Sequence, residues 1–403
     1  MATTATDRID ALDVIRGVAV MGILVANLPS FALPGSAYFS PLPWGGSRTG
    51  DRVAWALNFV LIEGKMRGLF TLLFGASVLL VVERARAAGR SGARTHYSRM
   101  FWLFAIGSLH LYLFWWGDIL THYALVGAAA YLFTRLPVAS LLVAGAIAVV
   151  LSILMGLGGA FVAFSGDAVA AALLEGFGAP DRAELAAEVS AMRGGFSDGV
   201  AWRWRHAANP LVALPVLGPE TLGYMLWGMA GLKSGFLTGA WERRRYARWA
   251  LATLPIGWAA YAVLAWMTST RGFDPRYVFL GSIAAAAPIR PLLIVGYACL
   301  IMLAAEPGGW LTKRIAAAGR AAFSNYLGTT LMMTFVFSGW GLGQFGRVGR
   351  AEMYLLVPVV WGLMLLWSKP WLEHHRYGPL EWAWRSLSRR ALQPMRIRRA
   401  RTS

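Results

Sequence analysis

Apolar residues in this chain do not alternate with polar ones. They come in long runs separated by short polar connections. A helix rising 1.5 Å per residue needs about 20 mostly apolar residues to cross a hydrocarbon layer of roughly 30 Å. About ten runs approach that length, near residues 12–28, 53–82, 100–116, 118–134, 138–162, 217–236, 247–268, 287–305, 315–338 and 353–372. The pattern predicts an all-α fold, a polytopic membrane helix bundle with about ten transmembrane helices. The second run is long enough to tilt or to break. Trp116-Gly117-Asp118 makes a tight turn between the third and the fourth. The chain then divides into an N-terminal transmembrane half (1–162) carrying the polar motifs and an outer-side interfacial helical segment (163–216). A C-terminal transmembrane half (217–388) and a basic cytoplasmic tail (389–403) follow.

Composition supports a lipid solvent. The 403 residues are 57% hydrophobic and only 14% charged, against roughly 25% charged in soluble domains. In water that much apolar surface would aggregate. The net charge of +18 would suggest nucleic acid in a soluble protein. Here the basic residues gather in connections instead, and no groove-reading element is visible, so no nucleic-acid partner is expected. Arg84, Arg86, Arg90, Arg94 and Arg99 follow the second run; Arg243, Arg244, Arg245 and Arg248 follow the sixth. Lys313 and Arg314 follow the eighth, and Arg389, Arg390, Arg396, Arg398, Arg399 and Arg401 fill the tail. All four groups fall on one side if the helices alternate, which predicts that both termini are cytoplasmic. The polar start, Met1 to Asp10, and the lack of a small-residue cleavage site make the first run a retained helix. Cys299, the sole cysteine, excludes an internal disulfide and reads as a core filler.

The outer side then holds loop 29–52 and the stretch 165–215. Asp181 is placed to cap an amphipathic helix through Met192. Trp202, Arg203, Trp204, Arg205 and His206 read as an interfacial helix resting in the headgroups. The tail after Pro394 is expected to be disordered and held near anionic lipid. No internal repeat is visible, which disfavours inverted-repeat transporter plans.

Four polar clusters interrupt the apolar runs, and ionisable groups in hydrocarbon mark function by default. At the start of the first helix, Asp13 and Arg16 are three apart and can pair, as a structural ion pair or with Arg16 facing an anionic donor. Asn27 lies near the outer end of that helix. In the second run, Glu63 and Arg67 are one turn apart around Lys65, pointing to a polar cavity or to a helix that stops and restarts. His110 lies in the outer half of the third helix, at about the depth of Glu63–Arg67. Asp118 and His122 are four apart and can pair. Histidine is the side chain best suited to take a proton from a hydroxyl near neutral pH, although a lone helical histidine is often a packing residue. In the fourth cluster, Gly319 to Tyr326, Arg320 and Ser324 share a face beside Asn325. A helix N-terminus with an arginine favours phosphate, either of a lipid headgroup or of a donor. No GxxxxGK[ST] run, HExxH or CxxC is present, so neither an ATP-driven motor nor a zinc site is expected, and no metal.

Taken in order, these stretches resemble the YeiB-like family of bacterial inner-membrane proteins (domain of unknown function 418). The carrying segments are Arg8 to Leu24, Glu63-Gly64-Lys65-Met66-Arg67-Gly68 through Gly75, and His110 with Trp116-Gly117-Asp118-Ile119-Leu120 and Tyr123-Ala124. Gly319-Arg320 through Asn325-Tyr326-Leu327 and Gly378-Pro379-Leu380-Glu381-Trp382-Ala383-Trp384-Arg385 complete the set. That family looks like a branch of a transmembrane acyltransferase superfamily. It includes the lysosomal heparan-glucosaminide acetyltransferase and bacterial enzymes that O-acylate surface glycans. The resemblance implies a ten- or eleven-helix bundle in the inner membrane, with a donor channel open to the cytoplasm. It also implies transfer of an acyl group from a thioester such as acyl-CoA to an envelope glycan or lipid. The lysosomal relative uses a histidine in the outer loop before helix two. Tyr38 to Asp51 contains none, so that mechanism does not carry over.

On the acyl-transfer reading His110 is the base, Asp118 orients it and Glu63 is a further catalytic candidate. Arg16 and Arg320 bind donor phosphates, and Lys65 or Arg67 meets the oxyanion. Asn27, His122 and Asn325 complete the substrate-binding candidates. A transporter or lipid flippase would use the same charges as a pathway, and a structural membrane protein would use them only to hold the bundle together.

Overall fold

The computed structural model describes residues 5–46, 48–206 and 209–397, with side chains except those of 5–10 and 212. The Arg8–Asp10 side chains and the tail arginines Arg398, Arg399 and Arg401 lie outside the described residues. Among the described residues the named elements are all helical. The helices are α1 (Ala5–Ala32), α2 (Thr49–Leu61), α3 (Lys65–Ala87), α4 (Gly92–Leu113), α5 (Leu120–Ala130) and α6 (Val138–Ala163). Next come α7 (Ala168–Leu174), α8 (Arg182–Arg193), α9 (Phe196–His206), α10 (Pro210–Lys233), α11 (Arg243–Thr270) and α12 (Pro275–Phe279). The chain closes with α13 (Ala286–Ala304), α14 (Trp310–Arg320), α15 (Ala322–Phe337), α16 (Arg350–Met353), α17 (Leu356–His374) and α18 (Pro379–Arg389).

Among the described residues, six helical stretches are long and apolar enough to cross a membrane: Ala11–Ala32, Thr49–Ala87, Val138–Ala163, Arg243–Thr270, Ala286–Ala304 and Arg350–His374. A shorter apolar stretch covers Leu120–Phe133. The outward faces of these helices are greasy, as a lipid-facing surface requires. On α6, Val143, Ile147, Leu154 and Phe161 are all exposed. The chain is a membrane protein.

Helices in lipid gain little from hydrophobic burial against each other, so small residues that admit close backbones decide their contacts. Gly75 of α3 and Gly228 of α10 do this reciprocally: a Cβ on either would collide with the backbone carbonyl of Met225 or Leu72 on the other helix. Gly17 of α1 and Gly319 of α14 make the second such crossing, against the carbonyls of Ile315 and Asp13.

Two runs read as single helices are interrupted. The second run stops at Leu61 and restarts at Lys65, the break already allowed for on its charge pattern. The ninth, 315–338, is two helices that meet at Ala321, so Arg320 and Ser324 do not share a continuous face. The tail also departs from expectation. Rather than hanging free after Pro394, it pairs with the end of α17. Arg376 donates its N–H to the Met395 carbonyl at 2.9 Å, Ile397 donates to that of His374 at 3.0 Å, and His375 bridges to Arg396. Backbone pairing of this kind orders a basic segment whose composition alone resembles a free tail.

Over one end of the bundle, the loops 33–48 and 338–349 and the helices α8 and α9 lock together. Gly346 donates to the Ala32 carbonyl at 2.7 Å, Gly339 to that of Met192 at 2.8 Å, and the Trp44 indole to Gly346 at 2.9 Å. Asp181 caps α8 through the Ala183 N–H at 2.6 Å, as its position predicts. Arg203 does not lie in the headgroups. It is buried, and donates to the Tyr112 and Leu113 carbonyls at 3.1 and 2.6 Å. Those carbonyls end α4 without helical partners, and a cation there also suits the helix dipole. Trp204, by contrast, is exposed as an interfacial residue should be.

Glu188 of α8 accepts the Gly35 N–H at 3.0 Å, closing this cap onto the turn after α1. Burial, opposed by that hydrogen bond and aided by Glu184, pushes its carboxyl from 4.5 up to about 7. The folded cap therefore holds a proton that the open cap releases between about pH 4.5 and 7. Its contribution to stability is full below pH 4.5 and is lost as pH rises through about 7. Hydrogen exchange corrected for intrinsic rate should show α8 and residues 33–37 better protected at acidic than at alkaline pH, with Glu188→Gln removing the difference. Equal protection at both extremes in the wild type would count against it.

Candidate functional site

The break in the second run is built from its polar residues. Gly64 has φ +73°, a conformation that costs a side-chain-bearing residue about 1–2 kcal/mol. A Cβ there would also lie 2.7 Å from Nε of Arg290. Gly64→Ala should therefore lower the unfolding midpoint in detergent by an amount matching about 2 kcal/mol or more. An unchanged midpoint would contradict this geometry.

The interruption leaves the last carbonyls of α2 without helical donors. Lys65, fully buried, donates its Nζ to the Phe59 carbonyl and lies 3.2 Å from the centroid of the Tyr261 ring. The Tyr297 hydroxyl donates to the Leu61 carbonyl at 2.8 Å. Arg67 pairs with Glu220 of α10 at 3.5 Å, not with Glu63 as the local spacing suggests. Glu220 also accepts from Arg290 of α13 and, at 3.0 Å, from the Tyr224 hydroxyl. Arg290 reaches in turn to the Ser282 carbonyl at 3.3 Å, in a π-helical turn over Leu280–Ala284. Such turns recur at functional sites. Glu63 keeps one buried carboxylate oxygen without a hydrogen-bond partner, and Arg290 keeps Nε likewise. From the turn after α1, Tyr38 reaches the same cluster. Burial pushes its phenol well above the ordinary value, with Glu63 adding to the rise and Arg67 opposing it.

The second group centres on His110 of α4. Its Nδ1 lies 2.7 Å from Oδ1 of Asp118, and both side chains are buried, 4% and 0% exposed. Asp118 precedes α5 and is not on it. Its other oxygen accepts the Thr121 N–H and hydroxyl, each at 2.9 Å. This carboxylate is thus committed to His110, and the expected Asp118–His122 pair does not form. His122 instead meets the Thr221 hydroxyl at 2.9 Å. The opposite nitrogen of His110, Nε2, is buried and has no partner. The His110 ring stands 5.5 Å from that of Tyr326 on α15 and 6.0 Å from that of Trp115. Tyr326 in turn lines a cavity with Asn27, Thr329 and Thr330 between α1 and α15. Tyr326 thus neighbours His110 and shares the cavity lining with Asn27.

The two groups are joined through α5. The Tyr123 hydroxyl donates to the Arg67 carbonyl at 3.2 Å and pairs with the Thr71 hydroxyl. His122 contacts Thr221, the residue after Glu220. The two networks are adjacent, with His110 itself beside Trp115 and Tyr326 rather than Lys65 or Arg67.

The other candidates lie toward the opposite end. Arg16 pairs with Asp13 at 2.7 Å and donates to the Ser77 hydroxyl at 3.2 Å. Arg320 is exposed at the same level, because Gly319 packs on Asp13 and Gly17. The α15 N-terminus is not open to phosphate. Glu381 of α18 accepts its Phe323 and Ser324 N–H groups at 2.7 and 3.1 Å and the Ser324 hydroxyl, so a carboxylate already occupies the positive helix end. The Asn325 amide is spent on the Ala318 carbonyl, the Ser368 hydroxyl and the Trp367 indole, at 3.0, 3.2 and 2.8 Å, and ties α15 to α17.

Glu220, Arg290 and Tyr326 are the functional-site residues that sequence reasoning did not single out. A signal existed for the first two. Glu220 is the only acid within α10 and Arg290 the only charge within α13. The same cost of intramembrane charge that flags Glu63 flags them.

Comparison with known proteins agrees with the resemblance to the YeiB-like family read from the motifs. Residues 232–391 match a family described as protein of unknown function (DUF418). The chain is 29% identical to YxaH of Bacillus subtilis (strain 168), covering 98% of this chain and 97% of that one. It is 22% identical to a 39.9 kDa protein encoded in the amylase 3' region of Bacillus acidopullulyticus, covering 95% and 94%. No solved structure matches the chain. With YeiB of Escherichia coli (strain K12) it shares 32% identity over 95% of its own length and 97% of YeiB, and it therefore belongs to the YeiB-like DUF418 family.

Proposed function

We propose that this protein is a membrane-embedded acyltransferase. It moves an acyl group from a cytoplasmic thioester, an acyl-CoA, to a hydroxyl of an envelope glycan or lipid in the bacterial inner membrane. The observation that carries the reading is His110: Nδ1 held by a buried carboxylate, Nε2 buried and without a partner, and the ring beside Tyr326, which lines a small cavity between α1 and α15. A histidine so oriented is built to take and return a proton. The family's likeness to the transmembrane acyltransferase superfamily supplies the reaction class. Ten spans with both termini cytoplasmic go with this reading, supported by the four basic connections, which share one side if the helices alternate.

In the reaction the acceptor hydroxyl gives its proton to Nε2 as its oxygen bonds to the thioester carbonyl carbon. Asp118 accepts the Nδ1–H throughout, its second oxygen held by Thr121. Lys65 and Arg67 are committed to Phe59 and Glu220. Tyr326 takes the oxyanion role instead. Its oxygen accepts the Ile119 N–H at 3.4 Å, which leaves its own proton to donate. Collapse of the tetrahedral intermediate breaks the carbon–sulfur bond, and the thiolate leaves with the proton from Nε2.

The test is coenzyme A release from acetyl-CoA by the purified protein in lipid nanodiscs, with and without envelope extract as acceptor. Extract-dependent release supports the reading. One observation favours a transporter: the Arg67–Glu220–Arg290 network across α3, α10 and α13, buried at Glu220 and Arg290. Absence of coenzyme A release, together with solute flux driven by a pH gradient in proteoliposomes, would replace acyl transfer with that second reading.

A further inference from the structure

At the end of the bundle where α3 gives way to α4, α18 packs across the start of α4. The Trp384 indole donates to the Arg99 carbonyl at 2.9 Å, and the Ser98 hydroxyl to the Ser388 carbonyl at 2.8 Å. The same Trp384 carries the Arg99 guanidinium on its face, 3.9 Å from the ring centroid. One turn of α18 away from its anchor at Glu381, Arg385 stacks on Tyr377 at 4.3 Å.

This packing gathers like charges. The charged side chains acting on Arg99 are Arg385 and Arg389, both of its own sign. Arg84, from the end of α3, and Arg389 both act on Arg385. Arg385 and Arg99 are half-buried, and Arg84 and Arg389 are exposed. The buried Nε of Arg385 has no hydrogen-bond partner. Arg389 gives one nitrogen to Gln393 at 2.8 Å. Four guanidinia converging from three helices, with the two inner ones laid flat on aromatic rings, repel one another unless an anion sits among them. Stacking fixes each planar fork and leaves its edge to bind bidentately.

We propose that Arg84, Arg99, Arg385 and Arg389 form a phosphate-binding site. It deepens the acyl-transfer reading and rests on it for which end of the ligand reaches His110. Arg99 and His110 stand on the same straight helix, eleven residues apart. At 1.5 Å per residue that is about 16 Å. A donor gripped here by its phosphates therefore needs a long flexible arm between the phosphates and the thioester, which a nucleotide thioester such as acyl-CoA has. The site also lies among the basic connections, on the side proposed as cytoplasmic. It replaces Arg16 and Arg320 as the phosphate contact, since Arg16 is already neutralised by Asp13. A phospholipid headgroup carries the same chemistry, and the test separates the two sources.

The probes are coenzyme A, pantetheine without the phosphates, and phosphatidylglycerol. Binding of the first two is measured on the full chain in phosphatidylcholine nanodiscs, and retention of the third by native mass spectrometry. For a nucleotide ligand, coenzyme A binds with an affinity that falls steeply with salt. Arg385→Gln and Arg389→Gln each weaken it about tenfold or more, and pantetheine binding does not change. For a lipid ligand, retained phosphatidylglycerol disappears in the same variants while coenzyme A affinity holds. Either result supports a phosphate site. Coenzyme A affinity and lipid retention both within about twofold of wild type in both variants would overturn it. Arg389 is exposed, so its variant does not depend on core packing. Coenzyme A binding that needs Arg385, in a protein that releases no coenzyme A from acetyl-CoA, would keep this site and remove acyl transfer.

Discussion

His110→Ala should reduce acceptor-dependent coenzyme A release by about a hundredfold to ten-thousandfold, the range contributed by a positioned general base. The expectation follows from asymmetry at the imidazole. One nitrogen is tied to Asp118 at 2.7 Å and the other is buried and unpaired. A histidine kept only for packing has little use for a buried nitrogen with no partner, since such an atom costs on the order of 1–3 kcal/mol. Alanine also leaves the Asp118 carboxylate without its ring partner, so lost activity could follow from lost structure. His110→Asn separates the two. Its amide nitrogen can still donate to Asp118, but nothing replaces Nε2. The expected result is a protein with near wild-type unfolding midpoint and no turnover. Turnover retained in both variants would remove His110 from the mechanism.

Glu220→Leu should destabilise the bundle by about 3–5 kcal/mol, the cost of removing one partner from a buried ion pair. Glu220 is 9% exposed at the side chain and Arg290 6%. Leucine would leave two cations, Arg67 and Arg290, facing each other with only the unpaired carboxylate of Glu63 to offset them. Glu63 is near, but its local spacing to Arg67 does not produce a pair. Pairing Glu220→Leu with Arg290→Met should recover part of the loss, because the double change removes the more buried of the two stranded charges. Reversible unfolding in one detergent for all three proteins gives the comparison. A Glu220→Leu protein within about 0.5 kcal/mol of wild type would mean that water or lipid already solvates the arginines.

Both predictions turn on groups whose local sequence was legible but whose partners were not. The cap formed by α8, α9 and the turn after α1 shows the same division. Asp181 caps α8 because a cap needs only the next three residues, which the sequence displays. Arg203, set between Trp202 and Trp204 in a tryptophan-rich surface pattern, turned inward, because two open carbonyls of α4 lay beneath it. Helix-propensity and charge patterns had no access to those carbonyls.

Some features were therefore settled by the sequence alone. Runs of apolar residues at near 20-residue length specify helices in lipid, since an unpaired backbone cannot remain in hydrocarbon. Gly64 between Glu63 and Lys65 specifies a place where the helix can turn. Asp13 and Arg16, three apart on one helix, specify their own pair. Tertiary structure decided the rest. Glu220 is 153 residues from Arg67 and 70 from Arg290, and Asp118 chose His110 across the turn instead of His122 along the helix. Spacing along a helix can nominate only neighbours one turn away. In a low-dielectric interior a buried charge takes whichever opposite charge the packing brings within reach, and that is fixed by how the helices cross.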